Sequence, residues 1–423
     1  MTAPKVGFAG MTHLGLNSAV ASAARGAHVT CYDGDEALVE SLAAGRTHIV
    51  EPDLDRLLGE HAAGLQFTSD LATLSDRDFV YIAPDVPTND RGESDLTGIR
   101  ELIERVDGSL PAEIPLIVLS QVPPGFTRQL KLRAGRPLYY QVETLIFGQA
   151  IHRALHPERF IIGCGDPEEP LPEAFRTYLE LFECPLLPMR YESAELAKIS
   201  INCCLVASIG VANTLAELCE RTGADWSEIV PALKRDKRIG PHAYLAPGLG
   251  IAGGNLERDL NTVIGLADRH GTDAGIVRAW IHNSEYRKHW VLRALHRRLL
   301  GQVEDPVIAV WGLAYKPNTH STKNSPALAL IDHLDRYRVQ AFDPVVKGAP
   351  VEALGIVEAP DPREACAGAD VLAIMTPWND FKQVPPADVA RVMNGTLVID
   401  PYRTWNPAAC REAGLTYITL GSA

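Results

Sequence analysis

An α/β fold of two doubly wound sheet domains joined by a central helical layer is what this chain predicts, on three observations. Short apolar runs alternate with helical stretches over the first 190 residues and again after residue 303, the pattern of mostly parallel sheets. Between them lie two long helix-rich stretches, Ser193 to Thr222 and Leu260 to Leu300, interrupted only by a glycine-rich loop at 247–254. A length of 423 residues exceeds one compact core, and a hydrophobic fraction of 46% can fill two or three. The expected domains are therefore 1–190, 191–302 and 303–423, with polar Gln302 to Pro306 at the second boundary.

The first segment, Lys5-Val-Gly-Phe-Ala-Gly10, reads as a strand running into a glycine turn. Leu14 to Arg25, rich in Ala and Leu, reads as a helix, and His28-Val-Thr-Cys-Tyr-Asp33 as a second strand ending in an acid. This is a β-α-β unit of Rossmann-like type, in which the helix N-terminus faces a phosphate and the acid reaches an adenosine ribose. An acid there favours a free 2′-hydroxyl, hence NAD over NADP, with Gly10, Thr12, Gly15 and Asp33 as its candidate contacts. Thr12 stands where the dinucleotide fingerprint has its second glycine, so its side chain must crowd or displace the pyrophosphate. A plain strand–helix turn is the alternative reading of so degenerate a fingerprint, and Asp33 argues against it.

Further buried strands are expected at Phe79–Pro84, Pro115–Ser120 and Arg159–Gly163, and in the last third at Val307–Gly312, Val339–Asp343, Val371–Met375 and Thr396–Asp400. Helical segments separate them, which makes the C-terminal third a second doubly wound domain.

Composition narrows the function classes. Forty Lys+Arg against 53 Asp+Glu give a net charge of -13, and no basic window is dense enough to follow a nucleic-acid backbone. No apolar run reaches the roughly 18 residues of a membrane span, and Met1-Thr-Ala-Pro-Lys5 lacks a signal peptide's apolar core, so a soluble cytoplasmic protein is the expectation. Eight cysteines at 31, 164, 184, 203, 204, 219, 366 and 410 show no metal spacing; most read as small buried hydrophobes in a reducing compartment, with no metal site.

Several separated segments then resemble, in order, the UDP-glucose/GDP-mannose 6-dehydrogenase family. They are Ser120-Gln-Val-Pro-Pro-Gly125, Gln141-Val-Glu-Thr-Leu-Ile-Phe-Gly148, Glu195-Leu-Ala-Lys-Ile-Ser-Ile-Asn202, Arg238-Ile-Gly240, Pro247-Gly-Leu-Gly-Ile-Ala-Gly-Gly-Asn-Leu-Glu-Arg-Asp259, Gly312-Leu-Ala-Tyr-Lys-Pro-Asn-Thr319 with Ser325-Pro326, Thr376-Pro-Trp378 and Asp400-Pro-Tyr-Arg403. The match spans nearly the whole chain. It implies an N-terminal NAD domain, a C-terminal domain for the nucleotide diphosphate, a sugar lying between the sheets, and a central helix joining two subunits as a homodimer.

The resemblance also implies roles for single residues. Lys198 and Asn202, one helical turn apart, would hold oxyanions near the reacting carbon. Asp259 would assist deprotonation of the sugar hydroxyl, and Glu143 would activate water against an acyl intermediate. Arg258 and Lys323 stand at cofactor contacts, Lys323-Asn324 replacing the family's Arg-Glu. Arg238 would reach the substrate of the neighbouring subunit, and Tyr244, Gly250, Tyr315, Lys316 and Arg403 would contact the nucleotide sugar. Read without the resemblance, Lys198 and Arg238 are surface cations and Asp259 a helix N-terminal acid stabilised by the dipole.

Three positions depart from the family together. Asn255 stands in place of the cysteine nucleophile, Gln121 in place of the threonine that supports the catalytic water, and Phe147 in place of the second glutamate. An amide is a far poorer nucleophile than a thiolate, and Cys203 and Cys204 read as core. The expectation is a two-electron oxidation of a nucleotide-activated hexose to an aldehyde or ketone, or an oxidation and re-reduction that epimerises it. Oxidation to the uronic acid through a hydrated aldehyde, with Glu143 as base, is the second reading. A degenerate nucleotide-sugar-binding protein is the third, and the retained proton-transfer set speaks against it.

Overall fold

In a computed structural model that describes residues 3–89 and 93–422, the chain divides by its packing into two units, one ending at Ile201 and the other starting at Asn202. The division falls inside the long helix Tyr191–Thr222. Met1 and Thr2 lie outside the described residues.

The first unit is built on an eight-stranded sheet: β1 (Lys5–Ala9), β2 (His28–Tyr32), β3 (Leu65–Thr68), β4 (Phe79–Ile82), β5 (Leu116–Val118), β6 (Leu138–Gln141), β7 (Phe160–Cys164) and β8 (Leu186–Arg190). Their order is β3-β2-β1-β4-β5-β6-β7-β8. All neighbours run parallel except β6 and β7. Phe8 of β1 lies between Cys31 of β2 and Tyr81 of β4, which centres the core on the residues buried on both faces of the sheet. The order reverses at β1, so a crevice opens at the carboxyl ends of β1 and β4, where such sheets bind ligands. Gly10 follows β1 with φ +98°, a conformation that favours glycine. A Cβ at Gly15 would lie 1.8 Å from the Gly10 carbonyl oxygen, so only glycine lets helix His13–Ala24 start this close to the turn.

The second unit begins with the rest of the long helix, which ends before Gly223 at φ +77°. Helices Trp226–Arg235, Asn255–His270, Gly275–Lys288 and Trp290–Arg298 follow. The stretch expected as helix-rich from Leu260 to Leu300 is thus three helices, the first running Asn255–His270 and capped by Gly271, φ +67°. A six-stranded parallel sheet closes the unit: β9 (Val307–Trp311), β10 (Arg338–Phe342), β11 (Val357–Glu358), β12 (Val371–Ile374), β13 (Leu397–Ile399) and β14 (Thr416–Ile418), in the order β11-β10-β9-β12-β13-β14. Trp311, Phe381 and Trp405 pack together in its core.

Three expectations are corrected. Strands β3, β6, β8, β11 and β14 and the helix Trp226–Arg235 were not anticipated; Pro231 inside that helix masks its signal, while Asp225 accepts a hydrogen bond from Ser227 N and caps it. Cys204 is exposed on the outer part of the long helix rather than in a core, whereas Cys203, half-buried, packs against the small cluster of Val206, Ile251, Leu260 and Val277. That helix is also long and apolar enough to cross a membrane by length and composition, through many Ala, Cys and Ser residues rather than an unbroken apolar run. About a third of its apolar window is buried, and it packs by polar ties: Asn213 accepts from Gly248 N and Glu217 pairs with the wholly buried Arg287.

Candidate functional site

In the first unit, the crevice beyond β1 and β4 is a cavity of about 330 Å³. Gly10, Thr12, Asp33, Asp85, Asp95 and Arg105 are among the residues that line it. Asp33 accepts from Met11 N at 2.7 Å and from Asp35 N at 3.1 Å, which orients its carboxylate beside the glycine turn. Each carboxylate oxygen can accept more than one hydrogen bond, so an adenosine ribose can still be recognised there.

The second unit repeats this device and uses it differently. Asp343 follows β10 as Asp33 follows β2, but it takes hydrogen bonds from Leu313 N, Ala314 N, Val345 N, Val346 N and Trp378 Nε1 and is 2% exposed. Its acceptor capacity is spent on the fold. The residues present thus fit a dinucleotide's ribose in the first unit and not at the matching acid of the second.

Lys198 Nζ lies 2.7 Å from Glu143 Oε1 and donates to the Glu143 carbonyl at 3.1 Å, both side chains being largely buried. Glu143 also accepts from Leu145 N at 2.9 Å. Two carboxylates that sequence reasoning missed brace this pair. Glu195, fully buried one turn before Lys198, accepts from Gly125 N at 2.5 Å and Thr127 N at 2.8 Å, gripping the turn that carries Gln121. Burial pushes its carboxyl up from the ordinary glutamate range, and these hydrogen bonds oppose the shift. Glu51 accepts from Gly148 N at 2.6 Å and Ala150 N at 3.3 Å and lies 2.9 Å from His13 Nε2. It ties the Glu143 loop to the start of helix His13–Ala24, where the His13 ring rests 4.1 Å from that of Phe147. The partners of these two glutamates lie 38 to 99 positions away in sequence, so no local pattern marks them.

In the second unit the glycine-rich loop is held from both sides. Gly250 has φ +81°, and a Cβ there would meet the Ser284 carbonyl oxygen at 2.4 Å, while Ile251 N donates to Ser284 Oγ at 2.7 Å. Gly253 donates to the Lys323 carbonyl at 3.1 Å and packs on the Tyr315 ring. Asn324 Nδ2 reaches Gly253 O at 3.0 Å and also the Glu257 carboxylate. The loop delivers Asn255, exposed, to the first position of helix Asn255–His270. One turn on, Asp259 is 1% exposed, accepts from Asn202 Nδ2 at 2.5 Å and faces Arg258 Nε at 3.4 Å. Burial pushes the Cys203 thiol up, with the charge of Asp259 adding to the shift.

The structure therefore groups Lys198 with Glu143 in one unit, and Asn202, Asn255, Arg258, Asp259, Gly250, Tyr315 and Lys323 around one loop in the other. Lys316 Nζ stands 5.6 Å from the Tyr315 ring centre. Tyr244 and Arg238 are exposed, Arg238 being paired only 2.6 Å from its neighbour Asp236. Arg403, at φ +51°, binds both oxygens of Asp225 at 2.8 and 2.9 Å and Ser227 Oγ at 2.7 Å, which directs its guanidinium to the cap of helix Trp226–Arg235. Burial would raise the Asp225 carboxyl, but the Ser227 and Arg403 hydrogen bonds prevail and hold it at about 2.

Three family profiles match the chain in succession: the NAD binding domain of the UDP-glucose/GDP-mannose dehydrogenase family over residues 4–183, its central domain over 192–285 and its UDP binding domain over 309–407. A UDP-glucose 6-dehydrogenase of Pseudomonas aeruginosa is 30% identical over 97% of this chain and 96% of its own length. One from Rhizobium meliloti is 30% identical over 99% of both. A UDP-glucose dehydrogenase from Pyrobaculum islandicum superposes with a TM-score of 0.84 at 26% identity, covering 100% of this chain and 98% of its own. A UDP-D-ManNAc dehydrogenase from Pyrococcus horikoshii, 23% identical, shares the fold with a TM-score of 0.82 over 98% of this chain and 99% of its own.

Proposed function

The chain belongs to the UDP-glucose/GDP-mannose dehydrogenase family and is an NAD-dependent nucleotide-sugar dehydrogenase, and on that footing we propose that it removes one hydride, rather than two, from an alcohol of its sugar nucleotide. The observation that carries this reading is Asn255, exposed at the head of helix Asn255–His270 where the family resemblance places a thiol. An amide forms no thiohemiacetal and no thioester. Cys203 is a poor substitute, since burial and Asp259 both favour its neutral thiol.

Alcohol oxidation breaks a C–H and an O–H bond; NAD, when bound, supplies the hydride acceptor. Asp259 takes the hydroxyl proton, with Asn202 Nδ2 fixing its carboxylate at 2.5 Å. By the family resemblance Lys198 supplies the positive charge that favours the alkoxide, and within its own unit Glu143, 2.7 Å away, holds its ammonium in place. The carbon is left as an aldehyde or ketone; return of the hydride to its other face gives the epimer. The retained Glu143 supports the second reading, in which it activates water toward a uronic acid. Counting NADH against product tests the choice. One NADH per sugar with loss of two hydrogens, or isotope exchange at unchanged mass, is expected, whereas two NADH per uronic acid would sink the proposal.

The active unit in this reading is a homodimer joined along the long helix. Val211, Leu215 and Leu218 recur at helical spacing on one face with exposures of 52%, 40% and 54%, a stripe that a second copy would bury. Sedimentation should give a dimer, and Val211→Glu should give a monomer. Arg238→Ala should stay dimeric and lose substrate affinity, if Arg238 completes the partner's site. Eight free cysteines support a reducing, cytoplasmic setting.

A further inference from the structure

Two amides at the turn of the first unit are already answered by the chain's own carboxylates. Met11 N donates to Asp33 Oδ2 at 2.7 Å, and Leu14 N, in the first turn of helix His13–Ala24, donates to Asp85 Oδ2 at 3.4 Å. Asp85 is anchored there by its backbone, since its N–H donates to Thr12 Oγ1 at 2.7 Å. Thr12 and Asp85 thus form one unit. The hydroxyl that stands in place of the fingerprint's second glycine is the group that fixes the segment after β4 over the helix start. The same cavity is lined by Asp33, Asp85 and Asp95, with Arg105 also on its wall.

We infer that Asp85 is an affinity-determining residue of the dinucleotide site: its carboxylate occupies the place of the pyrophosphate and must be displaced when NAD binds. This rests on the reading that NAD lies in the crevice of the first unit. A pyrophosphate gains from a helix N-terminus because amide N–H groups and the dipole meet its negative charge. A resident carboxylate both uses one of those amides and repels the incoming anion. Because Asp85 is exposed, solvent screens the repulsion, and the effect is of the order expected for a single charge at a helix end.

The test is NAD affinity of the full chain, measured by calorimetry beside adenosine, which carries no phosphate. Asp85→Asn keeps the size of the side chain and removes its charge; it should tighten NAD about threefold to tenfold and leave adenosine unchanged. Asp85→Ser serves the same purpose should the asparagine variant unfold. Thr12→Gly should also tighten NAD, and in the double variant the two gains should fall short of their sum in free energy, because Thr12 positions Asp85. NAD affinity unchanged or weakened in folded Asp85→Asn would overturn the inference, as would equal tightening of NAD and adenosine. Asp33→Ala keeps the outcomes apart. If it weakens NAD while Asp85→Asn does nothing, the site stands and the inference fails; if it leaves NAD unaffected, the placement of NAD in this crevice is at fault.

Discussion

Asp259→Asn is expected to lower kcat by about 10²-fold to 10⁴-fold, the range for loss of a positioned general base, while KM for the nucleotide sugar changes little. The carboxylate is 1% exposed and meets Asn202 Nδ2 at 2.5 Å on one side and Arg258 Nε at 3.4 Å on the other. The variant conserves shape and takes away the ability to accept a proton. It also removes the negative charge that Arg258 faces, so thermal unfolding must be followed beside the kinetics to separate loss of chemistry from loss of fold. A folded Asp259→Asn protein that keeps kcat within a few-fold would remove Asp259 from the proton step. A purely structural role would instead lower stability and leave kcat per folded molecule near its original value.

What could be read from the sequence follows how each element is buried. Strands β1, β2, β4, β5, β7, β9, β10, β12 and β13 were visible because most of their residues are shielded on both faces, giving continuous apolar runs such as Phe79-Val-Tyr-Ile82. Four of the five missed strands, β3, β8, β11 and β14, are the edges of the two sheets. An edge strand has neighbours on one side only and here remains partly exposed, so Leu186-Leu-Pro-Met-Arg190 and Val357-Glu358 carry no such run. In the site, the glycine loop and the acid after β2 were legible because backbone geometry demands particular residues there. Glu51, Glu195 and Asp85 were not, since each acts on amides brought near only by the fold. The resemblance assigns Arg403 to the nucleotide sugar on motif position alone; its salt bridge to Asp225 joins residues 178 positions apart and carries no local signal.

The remaining large effect concerns Asn255. If it only hydrogen-bonds the reacting oxygen, Asn255→Ala should cost at most about 10²-fold to 10³-fold in kcat, as for one positioned donor, against about 10⁶-fold for an essential covalent nucleophile. Thiol reagents should leave the chemical step intact, even though they will label the exposed Cys204. Asn255→Cys should trap the aldehyde as a thiohemiacetal, from which a second hydride transfer leaves a thioester. Release of the acid then requires water to attack that thioester and return the thiol. This step should be slow, because Gln121 stands where the family resemblance expects a threonine to support the water, and Phe147, its ring tilted against that of His13 at 4.1 Å, replaces a carboxylate. Rapid mixing of Asn255→Cys with excess NAD and sugar nucleotide should therefore give a burst of up to two NADH per active site and then near arrest, with a covalent adduct visible by mass spectrometry. The natural protein under the same conditions should turn over steadily without an adduct. An adduct on the natural chain would show that covalent chemistry persists through another residue, and a loss near 10⁶-fold in Asn255→Ala would show that Asn255 does more than hydrogen-bond the reacting oxygen.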